Sequence, residues 1–287
     1  MRFAKLAMLG LCGLAGSAMA QVDLGRAGLV TTMAPSTVVV PSISALLTYN
    51  STATVRYFGD LYSLNAGLTD AVKLVPDPSG KSRNVFKMSR LQSDPLWSST
   101  ARTEVAARNE YIIQGVRWYG ISVYFPTDWL FNPAPTVVAQ LHTSQKTLAV
   151  SPPVSIVASG ANMSLELNYN HRALDGTDPA TKANSALKSI RLGSIQTAKW
   201  YCFVVRADWN NNAGAGNFSL WMNGDNVYTA SNQTNDYSTW LGNYPKTGIY
   251  MPGSMTVPYR NIYTDFIWLG GPSTTFAQMY AQTPCGS

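Results

Sequence analysis

Between residues 116 and 269 the chain is a succession of short runs in which polar and apolar side chains alternate, each closed by turn formers. The clearest are 116–125, 136–142, 154–157, 163–169, 200–207, 218–222 and 262–269. A period of two places successive side chains on opposite faces of a strand, and the β-branched and aromatic content of these runs suits a half-buried sheet. Asn223-Gly224, set between Trp221-Met222 and Val227-Tyr228, predicts a two-residue hairpin, because both turn residues tolerate positive φ. Helical patterns are few and short, around 100–107 and 180–186. Many closely spaced strands with almost no helix predict an all-β fold, a two-sheet antiparallel sandwich of the jelly-roll kind.

The first twenty residues read differently. Arg2 and Lys5 precede an apolar stretch, residues 6–14, and small residues follow, ending Ala18-Met19-Ala20. This is the order of a secretory signal peptide cleaved after Ala20, and the apolar run is shorter than the ~20 residues a membrane-spanning helix needs. The sequence therefore predicts a signal peptide over 1–20, one domain over 21–287, and export to the periplasm or the extracellular space. Of the three cysteines Cys12 leaves with the leader. Cys202 and Cys285 then form either one disulfide, which an oxidising compartment permits, or two free buried thiols.

Charge narrows the partners. The formal net charge of +6 falls to +4 once Arg2 and Lys5 are removed, a modest excess that suits an anionic polymer. No basic run resembles a nucleic-acid-binding tail, and no zinc spacing, phosphate-cradling loop or nucleotide motif is present. Neither nucleic acid nor membrane is an expected partner, and a monomer is expected. Only three glutamates occur, Glu104, Glu110 and Glu166, and the aspartates sit mostly in turn-like contexts such as Asp175-Gly176 and Asp225. A glycosidase needs two carboxyl groups flanking the scissile bond, and no clustered pair is evident.

Three other segments stand out: Arg102-Thr103-Glu104-Val105, Gln140-Leu141-His142, and Tyr244-Pro245-Lys246-Thr247-Gly248-Ile249-Tyr250. The period of two puts Gln140 and His142 on one face of a strand. In order and content the three resemble the R-[ST]-E-L, Q-[IV]-H and Y-F-K-[AT]-G-[IV]-Y motifs of the jelly-roll polysaccharide lyases, the group of heparin lyase I, glucuronan lyases and alginate lyases. The likeness runs from about Ser82 to Leu269 and is nearest to the heparin lyase I and glucuronan lyase side of the group. It departs at Ala106, where alginate lyases usually carry an arginine, and at Pro245, which replaces the common Phe.

The resemblance implies a concanavalin A-like sandwich that cleaves a uronate-containing anionic polysaccharide by β-elimination. It assigns Gln140 to the substrate carboxylate, with Arg102 beside it or in an adjoining subsite. It makes Tyr250 the general acid, and also the base when ionised, and His142 a base or neutraliser. Lys246, Tyr244 and Glu104 fall to substrate binding. No cofactor is required; a structural calcium near Asp265 is compatible with the resemblance. His171, in Asn168-Tyr169-Asn170-His171-Arg172, reads as a strand cap more than a cleft residue, and Trp118, Trp221 and Trp268 as core. A non-catalytic carbohydrate-binding sandwich and a glycoside hydrolase pairing Glu104 with Glu166 are the competing readings.

Overall fold

The computed structural model describes residues 30–32, 56–58, 62–107, 115–143, 151–170, 185–210, 215–233, 235–236, 242–253 and 255–286. The predicted leader lies outside them. In chain order the strands are β1 (Val30–Thr32), β2 (Arg56–Phe58), β3 (Tyr62–Ala66), β4 (Val72–Pro76), β5 (Asn84–Leu91), β6 (Ala101–Ala107), β7 (Gly115–Phe125), β8 (Thr136–Thr143) and β9 (Val154–Ser159). They continue as β10 (Asn162–Asn170), β11 (Ser185–Ser194), β12 (Lys199–Trp209), β13 (Gly216–Met222), β14 (Asp225–Gln233), β15 (Asn243–Met251), β16 (Tyr259–Thr264) and β17 (Trp268–Gly270). One short helix, α1 (Phe276–Tyr280), follows, capped reciprocally by Thr275 and Gln278.

Two antiparallel sheets result. One runs β11-β10-β9-β8-β15-β6-β3-β2; the other, the back sheet, runs β14-β13-β12-β7-β16-β5-β4, with β17 pairing to β7 and to β1. The alternation read from the sequence sets their facing surfaces. On β10, Met163, Leu165 and Leu167 are buried while Ser164, Glu166 and Asn168 stand on the opposite face, half-buried. On β3 it is Tyr62, Leu64 and Ala66 that turn inward. These side chains meet Phe86, Tyr119, Phe203 and Phe218 of the back sheet in one continuous core. Burying each large apolar side chain contributes about 1.5–3 kcal/mol.

Strand β7 departs from simple alternation, being almost wholly buried on both faces. The chain's own C-terminal segment covers its outer side. Met279 of α1 joins Trp118 and Val204 in a second apolar cluster, and Trp118, Trp221, Phe276 and Tyr280 form a run of neighbouring rings 5.1–5.6 Å apart. The tryptophans singled out in the sequence are thus packing residues of the back sheet. A disulfide joins Cys202, in the first half of β12, to Cys285.

The hairpin at Asn223-Gly224 forms as expected, with φ of 54° and 101° joining β13 to β14. Three expectations are corrected. Residues 101–107 form strand β6, not a helix: the Ala and Glu content favours helix locally, but Val105 and Ala107 enter the core and both edges are paired, to β15 and β3. In the other helical pattern, 180–186, Ser185 and Ala186 open β11, and 180–184 lie outside the described residues. The run 262–269 is likewise two strands. The register against β7 slips by one residue between Thr264↔Val123 and Trp268↔Gly120, and there the Ile267 amide donates instead to Tyr62 Oη at 3.0 Å.

The disulfide closes a loop spanning 83 residues. A Cys202→Ser/Cys285→Ser double variant is expected to lose about 2–4 kcal/mol of unfolding free energy in urea titration. In the parent chain, neither cysteine is alkylated before reduction.

Candidate active site

The three sequence motifs lie on three adjacent strands, β8, β15 and β6. Lys246 is opposite Gln140 on one side and Ala106 on the other, and Tyr250 is opposite Arg102. Gln140 continues the row to Ser155 on β9, which continues it to Glu166 on β10. Between Thr247 and Tyr250 a bulge sets three steps of β15 against two of β8, while pairing with β6 stays regular. Gly248 makes this possible. Its φ is +144°, and a Cβ there would stand 2.3 Å from the Thr103 carbonyl oxygen and 2.6 Å from Glu104 Cα. The glycine in Lys-Thr-Gly-Ile-Tyr is what lets β15 lie tight against β6 while Tyr250 turns to the cleft.

Beneath this surface Glu104 is buried, 1 % exposed. Its Oε2 receives Lys246 Nζ at 2.7 Å, with an Arg102 guanidinium nitrogen 3.7 Å away, and its Oε1 accepts from Gln140 Nε2. Burial pushes the Lys246 ammonium down from its ordinary value, Glu104 pulls it back up, and Arg102 adds a smaller downward push. Gln140 retains one amide hydrogen for the cleft, while its buried Oε1 has no partner among the described residues.

His142 is held by its neighbours. Nδ1 lies 2.5 Å from the Thr143 carbonyl oxygen, which can only accept, so Nδ1 carries the proton and the neutral ring leaves Nε2 as a lone pair. Burial lowers the imidazole's pKa, Lys246 lowers it further, and the Thr143 contact and Glu104 oppose both. Tyr244 packs against the His142 ring at 5.6 Å. The Arg102 guanidinium sits over the Tyr250 ring, 4.5 Å from its centroid, and Arg102 Nε donates to Thr100 Oγ1 at 2.7 Å.

Arg102, Gln140, His142, Lys246 and Tyr250 line one cleft of about 320 Å³. Glu104 and Tyr244 are not part of that lining; one props Lys246 and Gln140 from below, the other braces His142. Ser151, Ser155, Glu166 and Asn168 complete the far wall. Alternation along β9 and β10 signals that Ser155, Glu166 and Asn168 face away from the core, but only the strand register brings them to this cleft. His171 lies outside the described residues. Asp265 is buried away from the cleft against Arg83 and Trp268 Nε1, both at 3.1 Å, and burial raises its pKa to about 6. Among the described residues no three His, Cys, Asp or Glu side chains gather as a metal site.

Residues 49–268 match the family model described as polysaccharide lyase. No curated protein sequence matches. Among solved structures, the endo-β-1,4-glucuronan lyase from the fungus Trichoderma reesei is similar at 19% identity and a TM-score of 0.61, over 72% of this chain and 88% of that one. An alginate lyase from Chlorella virus is similar at 11% identity and 0.49, over 70% and 88%. A GH131 β-glucanase catalytic domain from Podospora anserina is similar at 15% and 0.49, over 81% and 92%.

Replacing Glu104 by Ala strands the Lys246 charge inside the sheet. We expect a loss of about 3–5 kcal/mol in denaturant unfolding, and a smaller loss when Lys246→Met is added. Gly248→Ala is expected to cost at least about 1–3 kcal/mol from its backbone conformation alone, read the same way.

Proposed function

The chain belongs to the polysaccharide lyase family, and from that premise we propose that it cleaves a uronate-containing acidic polysaccharide by β-elimination. The observation that carries the reading is convergence: a tyrosine, a histidine with a free Nε2, a lysine, an arginine and an amide line one cleft. The fold likeness to a glucuronan lyase supports it.

The reaction dictates the roles. The proton on carbon 5 of a uronate is weakly acidic, and its removal develops negative charge on the adjoining carboxylate. Cations and donors aimed at that carboxylate stabilise the charge where it forms. Lys246, Arg102 and the remaining amide hydrogen of Gln140 have the required chemistry. Tyr250 protonates the departing oxygen on carbon 4. In D-glucuronate or D-mannuronate the departing hydrogen and oxygen share one side of the ring, so the one phenolic oxygen of Tyr250 serves as base and then as acid. In L-guluronate or L-iduronate they lie on opposite sides, and His142 Nε2 takes the proton while Tyr250 gives one. With the leader read from the sequence, the enzyme acts outside the cytoplasm.

Hydrolysis fits the site less well. Glu104 is occupied beneath the cleft, so Glu166 is the one carboxyl among the described lining residues, and a glycosidase needs two. A purely binding sandwich has no use for a histidine held in a base-competent tautomer.

Ultraviolet absorbance of the new double bond, conjugated to the carboxylate, is the test on a panel of polyuronates. Tyr250→Phe is expected to lose about 10²–10⁴-fold in rate on every substrate. His142→Ala is expected to lose comparably only on substrates of opposite-side stereochemistry. Reducing ends without absorbance would identify a hydrolase and refute these roles. On a substrate that uses His142, the base must be neutral, and its pKa is lowered. The acidic limb of kcat/KM is therefore expected below the ordinary imidazole value of about 6.5. A limb above it contradicts His142 as base.

A further inference from the structure

The two walls of the cleft differ in kind. Lys246, Gln140, Ser155 and Glu166 stand in one row across four strands, and hydrogen-bonding capacity changes sense along it. Lys246 donates. Gln140 gives one amide hydrogen to Glu104 and keeps the other. Ser155 can do either, and Glu166 at the far end is a carboxyl group. Three strand spacings, roughly 14 Å, separate Lys246 from Glu166, so one sugar's carboxylate cannot meet both.

Glu166 is also an unusual neighbour for an anionic chain. It is half-buried, and Ser155 and Ser189 flank it across β9 and β11. Burial moves its pKa upward, and among the described residues no cation offsets it. Arg191, on the same edge strand, donates instead to Asn162 Oδ1 at 2.8 Å. A carboxylate or sulfate brought over Glu166 meets like charge in a partly desolvated place. A hydroxyl brought there finds acceptors in Glu166 and, beside it, in Ser155 Oγ.

We propose that Glu166 is a specificity-determining residue: it accepts hydrogen bonds from hydroxyls of the sugar next to the cleaved uronate and excludes a charged group from that position. The preferred substrate then alternates a uronate with a neutral, hydroxyl-bearing sugar. This rests on the β-elimination reading above, which assigns the Lys246 end of the row to the uronate carboxylate.

The test compares two unsulfated polymers, a homopolyuronate and one alternating uronate with a neutral N-acetylhexosamine. It measures kcat/KM by absorbance and, in a Tyr250→Phe background, Kd for oligosaccharides of each by calorimetry. Wild type is expected to prefer the alternating polymer. Glu166→Gln is expected to move the ratio toward the homopolyuronate by on the order of 10-fold, losing on one polymer and gaining on the other, and Glu166→Lys to move it further. Circular dichroism melts verify that both variants are folded. A ratio unmoved in both, or a wild-type preference for the homopolyuronate, overturns the proposal. Unsaturated product with an unmoved ratio sinks Glu166 alone. A shifted Kd ratio without unsaturated product sinks the elimination chemistry and leaves Glu166 standing. No binding by any variant overturns both.

Discussion

One buried ion pair underlies the working surface of this protein. Glu104 and Lys246 meet at 2.7 Å inside the sheet, and the same carboxylate holds Gln140 and stands near Arg102. Pairs of this sort are poor sources of net stability, because removing two charges from water costs nearly as much as their attraction returns. What they supply is placement. A lysine free to swing on four methylenes would be a diffuse source of charge. Anchored by Glu104, it presents its ammonium at one point in the row, next to an amide oriented by the same anchor. The carboxylate also opposes the downward push that burial exerts on the Lys246 ammonium.

The rest of the sandwich serves that surface by making it rigid. β15 is clamped between β8 and β6, and the tight approach at Gly248 fixes the turn of the chain that delivers Tyr250. Behind it, a close-packed core transmits little slack between the sheets. His142 is fixed by backbone and not by a carboxylate, so its tautomer is set by the strand that carries it. Each group assigned a role in the proposed reaction therefore hangs on regular structure.

Period-two alternation made the strands and their inward faces legible from residues alone, as β10 illustrates with Met163, Leu165 and Leu167 inside and Glu166 outside. The Asn-Gly hairpin was legible because few other pairs accept two positive φ values. Strand β6 was not, because Ala-Arg-Thr-Glu-Val-Ala-Ala carries helix-favouring residues and its extended form is imposed by partners distant in sequence. The motif residues could be grouped by resemblance, yet their depth could not be read. Glu104 and Arg102 share a strand face, but one is sealed beneath the cleft and the other covers Tyr250. Nor does any local pattern set Glu166 in line with Lys246, since that alignment is the product of three separate strand registers.

The C-terminal covering of β7 has a consequence for the order in which the molecule can assemble. β7 lies in the first half of the chain, yet its neighbours β12, β16 and β17, and the α1 residues packed over it, all come from beyond residue 198. The middle of the back sheet therefore stays open until residues 199–280 have been made, and Cys202 cannot pair before Cys285 has followed. The segment from Phe276 to Cys285 thus acts as a latch, closing the back sheet from outside after the strands it covers.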